Sequence, residues 1–116
     1  MQKRNTGSGS RKNILRSLRI QRDYQMIYEF LLTIPKGKVI TYKALSKKFS
    51  LHPRTIAKIL SKNKYPDKYP CYKVVYSSGH VGGYILGVEE KIKRLEREGI
   101  KVKNYKIKDA HIIKEL

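Results

Sequence analysis

The chain holds a single cysteine, Cys71, in the stretch YPCYKVV. One thiol cannot close an internal disulfide or build a cysteine-rich zinc site. It is either a small core residue or a nucleophile, and a nucleophile must present the thiolate. Lys73 stands two positions on, in a chain where 27 Lys and Arg face 9 acids for a formal charge of +18. A positive field that favours the thiolate is therefore available. The residue after the cysteine is Tyr72, and a phenol with a pKa of about 10 is already protonated at neutral pH, so it donates or relays through water. Of the three histidines, His52 precedes a helix start and is read as a cap, with phosphate contact as the alternative. His80 lies in a glycine-rich loop near the cysteine in sequence, and His111 carries no assigned chemistry. No metal-ligand spacing is present, and neither a metal nor a cofactor is expected.

These side chains need a scaffold. Residues 1–22 mix Gly and Ser with Lys and Arg and read as a flexible basic arm. DYQMIYEFLLTIP places Tyr24, Ile27, Tyr28, Leu31 and Ile34 at helical spacing, with Asp23 as the expected N-cap and Pro35 as the stop. Thr41 is expected to cap a second helix, YKALSKKF, with Ala44, Leu45 and Phe49 inward. Pro53 suits the first turn of a third, RTIAKILSKN. The last two helices form a helix-turn-helix in which Ile56, Ile59 and Leu60 face the core. Arg54, Thr55, Ala57, Lys58, Ser61 and Lys62 remain outside, as a solvated face or one presented to DNA.

CYKVVYSS has the composition of a buried strand, and SSGHVGGYILG reads as a hairpin loop. VEEKIKRLEREG is a helix with Val88, Ile92 and Leu95 on one face and Gly99 at its end. Residues 104–116 form a C-terminal extension that adds a strand or stays loose. The expected fold is α/β, mainly helical, a winged helix-turn-helix-like domain over 23–103 with a small sheet or hairpin.

An excess of 18 positive charges points to a polyanionic partner, nucleic acid first. No stretch approaches the roughly 18 apolar residues of a membrane span. The opening MQKRNTGSGSRKN lacks the apolar core of a signal peptide, so an intracellular monomer is expected.

From about Tyr24 to Gly99 the order of motifs resembles the C-terminal domain of the O6-alkylguanine-DNA alkyltransferases. The resemblance rests on IPKGKVITY, an Arg opening the second helix of the motif, Asn63 eight residues before Cys71, PCYKVV against the family's PCHRVV, SSGHVGGY and LEREG. It implies a partner, double-stranded DNA containing O6-alkylguanine, and a single-turnover transfer of the alkyl group to Cys71. It implies that Arg54 fills the space left by the extruded nucleotide, reached from the minor groove, and that Tyr42 helps rotate the base and donates to guanine N3. Asn63 would tie the Pro70-Cys71 turn to the preceding helix. Main-chain groups of Cys71 and Val74 would accept from the guanine amino group, Ile85 N–H would donate toward O6, Tyr84 would form a pocket wall, and Glu98 would end a Cys-His-Glu relay.

The sequence departs from that pattern at Tyr72, which stands where the relay has its histidine. Two readings follow: transfer without the imidazole, or a lesion binder akin to the alkyltransferase-like proteins, which lose the cysteine that this chain keeps. The third reading is a helix-turn-helix regulator or DNA-coating protein, which needs no pocket. Ile85 and Leu86 are bulkier than the residues some members carry there, which favours methyl over large adducts.

Overall fold

The computed structural model describes residues 22–113, so the basic arm lies almost wholly outside the described residues. Helix α1 (22–31) buries Ile27, Tyr28 and Leu31, followed by a turn that buries Ile34. Asp23 is inside this helix rather than at its cap, because Arg22 is already helical.

Three short strands form one parallel sheet in the order β2-β1-β3. They are β1 (Val39–Thr41), β2 (Val74–Val75) and β3 (Ile112–Ile113). Val39 and Ile40 in the centre and Val74 and Val75 at one edge are fully buried, as suits strands covered on both faces. The register pairs Ile40 with Val74 and Thr41 with Val75. The C-terminal stretch closes the other edge, where Val39 pairs with Ile112.

Thr41 ends β1 and caps α2 (Tyr42–Phe49), its Oγ1 accepting from Ala44 N at 3.0 Å. Ala44 and Leu45 are buried and Phe49 packs against the core. Helix α3 (Pro53–Ser61) starts at Pro53 with His52 as cap, whose Nδ1 accepts from Arg54 N at 3.0 Å. Ile56, Ile59 and Leu60 are buried, while Arg54, Thr55, Ala57, Lys58, Ser61 and Lys62 are exposed.

CYKVVYSS is not one strand. Cys71–Lys73 is a 3-10 turn, with Lys73 N bonded to Pro70 O at 3.1 Å, and pairing begins only at Val74. Pro70 has no N–H to enter a ladder, which delays the strand. The following loop is no hairpin either. It turns tightly at 76–80, and His80 bridges to Lys106 far along the chain. Gly79 is required there, since a Cβ would lie 2.7 Å from Ile107 O. Helix α4 (Val88–Arg97) buries Leu95 and, against expectation, Lys91, while Val88 and Ile92 are only half-buried. Gly99, at φ +84°, follows its end.

Candidate functional site

Cys71 is buried, 5% exposed, yet it lines a cavity of about 290 Å³. Tyr42, Ala57, Leu60, Ser61, Tyr76, Gly83, Tyr84 and Ile85 share that cavity. Its volume is near the lower end for small-molecule pockets, roughly 300 Å³. Two of its residues, Ala57 and Ser61, belong to the exposed face of α3, so the thiol and the helix-turn-helix border one opening.

The thiol is held from one side by Asn63. This side chain is fully buried, and its Nδ2 lies 3.3 Å from Cys71 Sγ and 2.9 Å from Tyr69 O. Its Oδ1 accepts from Tyr65 N at 2.9 Å. The amide thus joins the end of α3 to the turn that carries the sulfur. Burial pushes the Cys71 thiol up from its ordinary value, against the lowering effect of the Asn63 hydrogen bond and of the Lys91 and Arg94 charges.

Lys73, expected to supply the positive field, does not. It is buried with its Nζ on Ile34 O at 3.1 Å, Pro35 O at 2.8 Å and Glu98 Oε1 at 2.9 Å. Its charge is spent on that carboxylate and on two carbonyls of the turn that follows α1. The cations that act on the sulfur are Lys91 first and then Arg94, and Lys91 is one of the largest fully buried side chains. Its Nζ donates to Val74 O at 2.7 Å and Gly83 O at 3.1 Å, and burial lowers it to about 8, opposed by the nearby Cys71.

Tyr72 turns the other way. Together with Pro70, Lys73, Arg94, Arg97 and Glu98 it lines a second cavity, of about 550 Å³, to which Cys71 does not contribute. Its hydroxyl donates to Glu98 Oε2, and the other carboxylate oxygen accepts from Gly37 N at 3.0 Å. Burial, then the hydrogen bond and charge of Glu98, push the Tyr72 phenol well above its usual range. Burial alone would raise Glu98, but Tyr72, Lys73 and the Gly37 N–H together hold it below the ordinary carboxylate value. Tyr72 therefore closes the Glu98 end of the site and offers no acceptor for the thiol proton.

Tyr42 and Tyr76 stand side by side, with ring centroids 4.8 Å apart. Each follows directly on the paired Thr41 and Val75, Tyr42 as the first residue of α2 and Tyr76 at the start of the loop after β2. Burial, followed by Tyr76 and Cys71, raises the Tyr42 phenol to about 12, which keeps it a proton donor. Tyr84 is also raised to about 12 by burial, and its hydroxyl is buried with no hydrogen-bond partner among the described residues. A buried orphan hydroxyl costs about 1–3 kcal/mol unless a water or ligand meets it.

Ile85, which lines the cavity, is 45% exposed, and the next residue, Leu86, is 48% exposed. Neither His80 nor His111 stands in for the missing imidazole: His80 Nδ1 accepts from Gly82 N at 3.1 Å, and His111 Nδ1 lies 3.0 Å from Gly37 O. Among the described residues no group of acidic, His and Cys side chains could hold a metal, and no helix is long and apolar enough to cross a membrane. The sequence reading missed Lys91 and Tyr76. Lys91 had a signal, for it occupies the apolar stripe of α4 between Val88 and Leu95.

A helix-turn-helix whose second helix borders a cavity floored by a free thiol defines a DNA-binding domain built around a pocketed cysteine. Residues 23–100 match the family described as 6-O-methylguanine DNA methyltransferase, DNA binding domain, and the chain belongs to that family. It is 42% identical over 76 residues to a methylated-DNA–protein-cysteine methyltransferase of Thermococcus gammatolerans, covering 65% of this chain and 43% of that one. It is 41% identical over 86 residues to a bifunctional methyltransferase/endonuclease of Picrophilus torridus, covering 72% and 29%. The chain thus spans less than half the length of these relatives.

The crystal structure of the O6-methylguanine-DNA methyltransferase of Pyrococcus kodakaraensis superposes with a TM-score of 0.62 at 38% identity, over 66% of this chain and 46% of that one. S. pombe Atl1, solved with damaged DNA containing O6-carboxymethylguanine, shares the fold with a TM-score of 0.63 at 22% identity, covering 72% and 81%.

Proposed function

We propose that this chain grips duplex DNA through α3, admits an extruded O6-alkylguanine to the 290 Å³ cavity, and takes the alkyl group onto Cys71. The target carbon is inside the duplex stack, so extrusion must precede chemistry. In the transfer a bond forms from Sγ to the alkyl carbon while the bond from that carbon to O6 breaks. The thiol gives up one proton, and the departing guanine gains one at a ring nitrogen. Tyr42, still protonated, aids the departure as a donor, and the orphan hydroxyl of Tyr84 is free to meet a polar group of the base. Arg54, exposed in the first turn of α3, fills the vacated space, and Thr55, Ala57, Lys58 and Lys62 meet the DNA. Cys71 and Val74 main-chain oxygens and the Ile85 N–H hold the guanine edge.

The observation that supports this reading is the placement of one sulfur on the floor of a pocket whose mouth is bordered by the helix-turn-helix. The pocket also weighs against a plain regulator or coating protein, neither of which requires one. Incubation with O6-methylguanine duplex is expected to add one methyl mass to Cys71 and nothing to Cys71→Ala.

A second reading, lesion binding without transfer, is supported by a different observation. Burial keeps the thiol protonated, and Tyr72 faces Glu98 rather than the sulfur. Lesion-specific binding without any mass gain decides for it.

A further inference from the structure

Beside the pocket mouth an aromatic row continues away from it. Tyr76 stands 4.8 Å from Tyr42, His80 is 6.2 Å from Tyr76, and Tyr105 is 6.4 Å from His80 with the rings 23° from parallel. Tyr76 and Tyr105 are each 48% exposed, and His80 is exposed too. Rings of this size normally bury their faces, so three neighbouring exposed ones call for an occupant.

The row is rigid. The turn 103–106 holds Asn104 and Tyr105 at φ +52° and +61°, a conformation that side chains other than Asn and Gly rarely adopt. Lys103 bridges Lys106, Lys106 bridges His80, and Val81 N donates to Tyr105 O at 2.8 Å. Backbone strain kept at the residue that displays an exposed ring is the pattern of a functional turn. The exposed Lys103 and Lys106 flank that ring.

We infer that Tyr76, His80 and Tyr105 form a stacking path for unpaired DNA bases, with Lys103 and Lys106 neutralising the phosphates of the same strand. Stacking surfaces beside cationic side chains are how proteins hold single strands without reading sequence. The inference rests on the proposed function only in taking the pocket mouth to face DNA. The path leads outward from there, so bases next to an extruded nucleotide, or a strand already single, can occupy it.

The test uses undamaged DNA, so it is independent of alkyl transfer. Binding of a dye-labelled oligothymidylate of about twelve nucleotides, within the span of single-strand sites, is compared with binding of an undamaged duplex by fluorescence anisotropy. Tyr105→Ala is expected to lower oligothymidylate affinity, relative to duplex affinity, by about fivefold or more, the loss of one stacked base. Tyr105→Phe, which keeps the ring, is expected to restore it. Tyr65→Ala, at an exposed tyrosine outside the row, is expected to leave the ratio alone.

An unchanged ratio in Tyr105→Ala, or an equal drop in Tyr65→Ala, overturns the proposal. Photocrosslinking of the unaltered protein to a bromodeoxyuridine strand gives a second readout that no folding defect can blur. Adducts at Tyr76, His80 or Tyr105 support the path, and adducts confined to other residues overturn it. A failed mass gain at Cys71 with a lowered ratio in Tyr105→Ala would sink transfer and leave the path standing.

Discussion

Lys91 Nζ donates to the main-chain oxygen of Val74 at 2.7 Å, inside a fully buried setting. This bond joins α4 to the strand that follows the Cys71 turn and brings a positive charge that opposes the rise burial imposes on the thiol. It also occupies one lone pair of the carbonyl that the family resemblance offers to guanine, leaving the second for the base. One lysine thus serves the sheet, the loop at Gly83 and the sulfur together.

Lys91→Met keeps the length of the side chain and removes its charge. The Cys71 titration is then expected to move further up, slowing alkylation by iodoacetamide on the acid side of the lysine's own titration, where the native side chain carries its charge. The check is the pH profile of that rate, with circular dichroism to confirm folding. An unmoved midpoint would mean that Lys91 supports the structure alone.

The same lysine makes stability depend on pH. Its folded value is about 8 against 10.5 ordinarily. Between those values the unfolded chain holds more protons, so stability attributable to Lys91 rises with pH, by about 3 kcal/mol over the full window. The raised Cys71 works in the opposite sense above its ordinary value of 9.0, because the unfolded thiol ionises first. Urea titrations of the native chain and Lys91→Met from pH 7 to pH 10, about the window of the buried amine, are expected to show the native chain gaining on the variant as pH rises. Parallel curves would refute the buried charge.

Tyr72→His restores an acceptor beside Glu98. A positioned general base contributes about 10²–10⁴-fold; because side chain 72 faces away from the sulfur, the proton has to cross through a bridging water, and single-turnover alkyl transfer is expected to quicken by only about tenfold. Tyr72→Phe, which removes only the hydroxyl bonded to Glu98, is expected to change the rate little. If histidine brings no acceleration, the proton leaves Cys71 by a route that does not pass Glu98.

Asn63→Ala removes three bonds at once, to Tyr69 O, Cys71 Sγ and Tyr65 N. Buried groups left unsatisfied cost about 1–3 kcal/mol each at most sites, so a loss of about 2–3 kcal/mol in urea unfolding is expected, with a further rise of the thiol pKa. Full stability together with an unaltered thiol titration would contradict the role given to this amide.

The helices were legible because their spacing and caps are local. Thr41 and His52 mark helix starts through bonds made within three residues, and Pro53 by filling a first-turn position that needs no N–H. The sheet was not, because strands of two and three residues carry no period and their parallel partners lie over thirty residues apart along the chain. Asn63 and Cys71 could be brought together through the family resemblance, whereas Lys91 was passed over, because lysine is seldom fully buried and its place in an apolar stripe is a weak sign of it. Lys73 was misjudged because sequence proximity to Cys71 says nothing of direction: the 3-10 turn sends Cys71 to one cavity and Tyr72 and Lys73 to the other. Asp23 failed as a cap because helix α1 begins at least one residue earlier.

Thr41 and Val75 pair at the ends of β1 and β2, and there the chain turns into α2 at Tyr42 and into the loop at Tyr76, whose rings stand 4.8 Å apart. The sheet thereby roots both rings of one pocket wall. Room for a larger guest comes more readily from the outer lip at Ile85, because moving those roots would require two hydrogen-bonded strands to part.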